Sequence, residues 1–260
     1  MAHRCWRVWC SSGDGMSVHA APPPEDPPED PPKIPEAPGS PSLGAWMTRR
    51  HDPICLIGGG GHALVMRDAA IASGRAILGY YDDQPTPPIG ALATRLGSID
   101  DLLSGASRPP GPIILALGDI GARRRILDAA PSTLDWTPLS HPSCIISPEA
   151  TIERGVFIGA LCIINANTTV GPHAIINSGA IIEHDCTIGT NAHIAPRSAL
   201  AGCVHVGADT LFGIGAVAKP GVRIGNGATI GAGAAVTDDI PDGATCAGVP
   251  ARPLRTPQNH

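Results

Sequence analysis

Two groups of residues in this sequence could do chemistry. The first is His184-Asp185, an imidazole followed at once by a carboxylate, with Asn177 and His193 close by in the chain. A carboxylate beside an imidazole holds its tautomer and raises its basicity, which suits a general base working near neutral pH. The second is the run Gly58-Gly59-Gly60-Gly61-His62, with Asp82-Asp83 about twenty residues on and Gly118, Asp119 and Gly121 further along. Glycines let a backbone approach a phosphate closely, and a helix that starts there offers unpaired N–H groups and the positive end of its dipole. The plain alternative is a tight turn that needs glycine, but such a turn gives His62 no duty.

The glycine run needs a strand before it and a helix after it. Ile54-Cys55-Leu56-Ile57 reads as a strand, and Leu64, Val65, Ala69 and Ile71 give a helical pattern ending near Gly74. Further strands over 76–80 and 113–117 place Asp82-Asp83 and Gly118-Asp119 at the carboxyl ends of a parallel sheet, where open α/β sheets bind ligands. The spacing Gly58-x-Gly60-x-x-Ala63 imitates a dinucleotide fingerprint. The domain is too short for two mononucleotide halves, so a mononucleotide or nucleotide-sugar is expected rather than a dinucleotide.

The His-Asp pair sits in a different kind of structure. Written in sixes from Ile146, fourteen of the sixteen first positions through Val236 are Ile, Val or Leu. The fifth positions are Ala, Val, Cys, Thr or Ser everywhere except Ile240. One large and one small inward residue per six is the signature of a β-helix. Pro148, Pro172, Pro196 and Pro220 fall at the third position, and Gly155, Gly179, Gly221, Gly227 and Gly233 at the fourth. That pairing fits the two central residues of a type II turn. Three such corners close a triangle, so residues 18 apart stack. His184 then occupies a corner where other hexads carry Pro, between Ala166 below and Gly202 above, both small. Asn177 and His193 point outward from the hexads on either side. Cys162 and Cys186 fall at inward fifth positions and read as small core residues, not nucleophiles.

Composition removes several other classes. A net charge of −5 gives no basic footprint for nucleic acid, and no apolar run is long enough to insert in a membrane. The eight Cys form no CxxC pairs, so neither a zinc site nor a disulfide framework is indicated, and a reducing, cytoplasmic setting is expected. His173, His184, His193 and His205 are never stacked on one another at 18 residues, so no metal is expected. Aromatic residues are only 3% of the chain, as a prism filled with Ile and Val would require.

The expected organisation has three parts: a proline-rich extension over 1–51, a Rossmann-like nucleotide-sugar-binding domain over 52–140, and a left-handed parallel β-helix over 141–256. Residues 22–41 contain ten Pro and five acids, too little apolar surface to offset the entropy of ordering. This extension is expected to be disordered. It is either an interaction arm or untranslated sequence ahead of a start at Met16 or Met47.

Taken together, the GxxGH turn, the stretch IEHDCTIG and the closing AGVPARPL resemble the bacterial sugar acetyltransferases of the PglD/NeuD-like family, over residues 52–254. The resemblance implies a homotrimer with active sites between adjacent prisms, acetyl-CoA as donor and a nucleotide-linked amino sugar as acceptor. By position it implies that His184 is the general base and that Asp185 raises its basicity. Gly60, Gly61, His62, Asp82, Asp83, Gly118 and Gly121 match nucleotide-sugar contacts, and His193, Ile214 and Ala232 match acetyl-CoA contacts. O-acetylation of a sugar such as sialic acid, a trimeric binding scaffold without turnover, and a β-helix metalloenzyme are the alternatives.

Overall fold

The computed structural model describes residues 51–254. The expectations for the proline-rich extension and for the translation start lie outside the described residues.

The first part is a four-stranded sheet. β1 (Ile54–Ile57) runs into the glycine turn and α1 (Gly61–Ala72), then β2 (Ile77–Tyr81), β3 (Arg95–Gly97), α2 (Ile99–Leu103), β4 (Ile113–Leu115) and α3 (Ile120–Ala129) follow. The order is β3-β2-β1-β4, and every pairing is parallel. β1 and β4 are buried along their whole length, because helices and loops cover both faces. The sequence pattern marks neither β3 nor α2. β3 has only three residues, too few to show a period. α2 rests on a capping box, in which the Ser98 side chain accepts from the Asp101 N–H while Asp101 reaches back to the Ser98 N–H.

The second part is the left-handed parallel β-helix that the hexads require. Its three sheets are built from two-residue strands stacked 18 apart, such as Thr151, Thr169, Thr187 and His205. The first-position Ile and Val residues and the small fifth-position residues form one continuous core from Ala150 to Ala251. Each fourth position from Gly155 to Gly233 has positive φ, including Leu161, Asn167, His173, Asp185, Asn191, Arg197, Cys203 and Asp209. The corner conformation therefore belongs to the coil and is imposed on whatever residue stands there. Buried hydroxyls at fifth positions bond to the next coil: Ser198 donates to the Gly213 carbonyl at 2.9 Å and Thr210 to that of Gly225 at 2.8 Å.

The six-residue register does not run to 241 as the sequence suggests. In the last coil Ile240 pairs with Ile224, and Thr245 with Thr229, both at a spacing of 16 rather than 18. The coil is two residues short. Ile240, the one large residue at an apparent fifth position, in fact fills a large-residue slot above Ile224.

The prism has three unlike faces. The covered face presents Phe157, Ile175 and His193 outward toward the parallel-sheet domain. The apolar face presents Ile145, Ile163, Ile181, Ala199, Val217 and Ala235. The polar face presents Thr151, Thr169, Thr187, His205 and Arg223. Phe157 and Ile175 are buried in one cluster with Leu56, Ala63 and Met66, so the two parts share a core. Burying two such side chains contributes about 2 kcal/mol each. Polar ties add direction: the Arg75 guanidinium donates to the Pro138 carbonyl at 2.8 Å, Arg123 donates to the His173 carbonyl, and Asn191 donates to the Ile120 carbonyl at 3.2 Å.

Candidate active site

The His184 corner is built from one coil and held by its neighbours. Asp185 has φ 58°, and this left-handed turn swings its carboxylate back to the preceding ring, with Nδ1 of His184 and Oδ2 of Asp185 2.7 Å apart. The other oxygen, Oδ1, accepts from Asn167 Nδ2 at 3.1 Å, one coil below. The bond to His184, and then the one to Asn167, hold the Asp185 carboxyl below the usual carboxylate range. With Nδ1 tied to the carboxylate, Nε2 is the free end of the imidazole. The pair is half exposed, at 47% and 48%, so reactants can reach it.

Supports from the coil below were not singled out from the sequence. Buried Thr168 donates its hydroxyl to the Glu183 carbonyl at 2.8 Å and accepts from the Cys186 N–H at 3.2 Å, straddling the turn that carries His184 and Asp185. Asn165 Nδ2 donates to Glu183 Oε2 at 2.9 Å. Residues 165, 167 and 168 lie 18 below 183, 185 and 186, so the stacking rule alone would have found them. Above the ring, the expected space is real: a Cβ on Gly202 would lie 2.7 Å from both Cε1 and Nε2 of His184. Burial pushes the inward Cys186 thiol up to about 12, as a core residue should show.

Asn177 does not join this corner. Its Nδ2 is 3.1 Å from His193 Nε2, and the His193 ring also bonds the Gly118 backbone. The ring of His62 stands 6.5 Å from that of His193 and edge-on to Phe157 at 5.4 Å. Asn177, His193, His62 and Gly118 thus form a second cluster, at the junction of the two parts. Burial pulls His62 and His193 down to about 4, with the Arg123 guanidinium adding to the effect, so both rings are neutral at pH 7. Ile214 and Ala232 stack on the corner that follows the His193 strand, and both are exposed.

The glycine run divides in two. Gly58 has φ +101° and a Cβ there would lie 2.6 Å from Leu117, while one on Gly59 would lie 2.7 Å from Pro87. Those two are needed by the fold. Gly60 and Gly61, like Gly118, have open space where a Cβ would be, and they lie at the start of α1. Gly121 has only ordinary contacts there, to Asp119 and Arg125. Asp82 and Asp83 have local duties. Asp82 accepts from the Gly59 N–H at 2.6 Å through one oxygen and from the Gln84 N–H at 2.7 Å through the other. Asp83 accepts from the Ile99 N–H at 2.8 Å. Both carboxylates shape the cradle beside the open glycines.

Comparison with known proteins gives the same two parts. The model of the PglD N-terminal domain matches residues 53–130, and that of the bacterial transferase hexapeptide matches 149–184 and 167–202. The acetyltransferase domain of PglB from Neisseria gonorrhoeae is 33% identical, with a TM-score of 0.72, over 78% of this chain and 99% of that one. The chain belongs to the PglD/NeuD-like family of sugar acetyltransferases. PerB from Caulobacter crescentus, solved with CoA and GDP-perosamine, is 35% identical with a TM-score of 0.70, over 78% of this chain and 97% of that one. The PglB domain has also been solved with acetyl coenzyme A. Among curated proteins, a tetrahydropyridine-dicarboxylate N-acetyltransferase of Staphylococcus aureus is 51% identical over 47 residues, 18% of this chain and 20% of that protein. The chain spans less than a third of the length of the curated relatives it matches. Among the described residues, no helix is long and apolar enough to cross a membrane.

Proposed function

We propose that the chain transfers the acetyl group of acetyl-CoA to the amine of a nucleotide-linked amino sugar, with His184 as general base. The observation that carries this reading is the oriented His184–Asp185 pair at an exposed corner, its ring packed over Gly202, which has no Cβ to displace it. The complexes of PerB with CoA and GDP-perosamine support the donor and the class of acceptor.

In this mechanism the acceptor nitrogen attacks the thioester carbonyl. Nε2 of His184 takes the proton the nitrogen loses, while Asp185 steadies the imidazolium through Nδ1. The tetrahedral intermediate then collapses, the C–S bond breaks, and the imidazolium returns the proton to the departing sulfur. The products are an amide and free CoA thiol, with no acyl-enzyme. The open glycines 60, 61 and 118 receive the nucleotide end of the acceptor, and Ile214 and Ala232 line the CoA track.

The assembly that suits this reading is a homotrimer working in the cytoplasm, with the apolar face turned to a threefold axis. That face exposes Ile145 at 65%, Ile181 at 36% and Val217 at 45%, and no described residue covers it. The corner of Ile214 and Ala232 bounds it on one side and the corner of His184 and Gly202 on the other. A threefold rotation sets one corner against the other corner of the next copy, a heterologous contact that closes a ring. Donor track and base then meet between copies.

Thiol release from acetyl-CoA, measured across UDP- and GDP-linked amino sugars, free amino sugars and sialic acid, tests the reaction. The His184→Ala chain should lose roughly 10²–10⁴-fold in turnover. Release that ignores acceptor, or that survives the substitution, sinks the reading. A mixture of His184→Ala and Ile214→Asp chains tests the shared site. About a quarter of the sites should regain both parts after subunit exchange, whereas a site within one chain would regain none.

A further inference from the structure

We propose that His184, Asp185 and Cys203 form a binding site for a thiophilic divalent cation of the zinc class, which switches the transferase off by occupying the base. The switching rests on the reading of His184 as general base; the binding site does not.

Cys203 stands at the fourth position of its hexad, directly above Asp185, and its N–H donates to the His184 carbonyl at 2.9 Å. One imidazole nitrogen, one carboxylate oxygen and one sulfur lie within 4.8 Å of one another, and all three side chains are exposed. A tetrahedral zinc ion with bonds of about 2.0–2.3 Å sets its ligands about 3.5 Å apart. The sulfur therefore needs to approach by up to about an ångström while the 2.7 Å His184–Asp185 pair opens by a little less, within the reach of exposed side chains. Gly221 follows in the same column, and a Cβ placed there would meet nothing within 4 Å, which leaves room in the chain above Cys203 for a fourth ligand. A nitrogen, a thiolate sulfur and a carboxylate oxygen select zinc-like ions over magnesium or calcium, which take oxygen ligands.

Spacing among the histidines alone does not reveal this site, because one ligand is a cysteine brought in by stacking. The transfer reaction itself still needs no metal. Binding exchanges the thiol proton for the ion and releases that proton to solvent, so affinity should fall as pH is lowered. An imidazole whose lone pair is donated to the ion cannot take a proton from an acceptor amine.

The test uses the full chain freed of metal by chelator, with Co²⁺ as a spectroscopic probe and Zn²⁺ as the inhibitor. Wild type should show saturable thiolate-to-cobalt charge-transfer absorption, and Cys203→Ser should lose one thiolate equivalent of it. His184→Ala should weaken cobalt binding at least about tenfold. In the transferase assay, Cys203→Ser should keep wild-type turnover without zinc and need at least about tenfold more zinc for half-inhibition. A cobalt spectrum unchanged by Cys203→Ser overturns the site, and equal zinc inhibition of both chains overturns the switch. The cobalt measurement decides the site even if no acceptor supports turnover, so failure of the functional reading would show separately.

Discussion

Gly202→Ala tests the catalytic corner with a single methyl group. The added Cβ would stand 2.7 Å from Cε1 and Nε2 of His184 and 3.3 Å from Nδ1. Non-bonded carbon contacts settle at about 3.5–4.0 Å, so the ring must retreat by about an ångström. The 2.7 Å bond from Nδ1 to Asp185 does not survive such a shift. A misplacement of about an ångström costs about 10²-fold in rate. Turnover should therefore fall toward that of His184→Ala, with acceptor KM changed much less. Gly202 does not have positive φ, so alanine adds no backbone strain and the melting temperature should hardly move. Gly221→Ala is the converse. Its φ is +75° with open space around, so alanine should cost about 1–2 kcal/mol of stability while turnover persists. Thiol-release kinetics and thermal melts on both variants make the comparison. Wild-type turnover in Gly202→Ala, or equal loss of turnover in Gly221→Ala, would refute the argument that the close approach of the ring to Gly202 is functional.

Thr168→Val removes the hydroxyl that spans the His184 turn and leaves the Glu183 carbonyl and Cys186 N–H short of a partner; we expect about 1–3 kcal/mol of lost stability and reduced turnover, and a fully active, equally stable variant would count against it. Asp82→Asn sets an amide against the Gly59 and Gln84 N–H groups, so acceptor KM should rise with turnover largely kept; an unchanged acceptor KM would remove the glycine turn from the acceptor site. Folding stability should fall as pH drops from about 6.5 toward 4, because His62, His193 and His173 stay neutral when folded, down to about 4, 4 and 3, and bind protons when unfolded. Each contributes up to about 1.4 kcal/mol per pH unit in that window, and His173→Asn, which tolerates the positive φ, should visibly flatten melting curves compared between pH 6.5 and 5.5. Ile181→Asp on the apolar face should lower the mass seen by light scattering from that of a trimer to that of a single chain, and a trimer that persists would place the interface elsewhere.

The sequence by itself determined the prism. A period of six with alternating large and small inward residues allows only one way to bury Ile182 and Cys186 together, and it fixes which residues stack. From that arithmetic come the corner position of His184, the small neighbours Ala166 and Gly202, and the core role of the buried thiols. The strand, glycine turn and helix from Ile54 to Ala72 were legible for a similar reason, since local pattern and local conformation agree. The tertiary structure decided what depends on contacts between distant segments. It put Asn177 on His193 rather than on His184, because those two residues share an edge of the prism that the first domain covers. It gave Asp82 and Asp83 to backbone N–H groups, a choice set by where Gly59 and Ile99 end up. It shortened the last coil by two residues, for which Ile240 at the wrong slot was the only sign. The same stacking arithmetic sets Cys203 above Asp185, 18 residues on, and the structure adds only how near its sulfur comes to the pair. A repeat specifies stacking within itself, but which face is covered, and by what, is settled only when the rest of the chain packs against it.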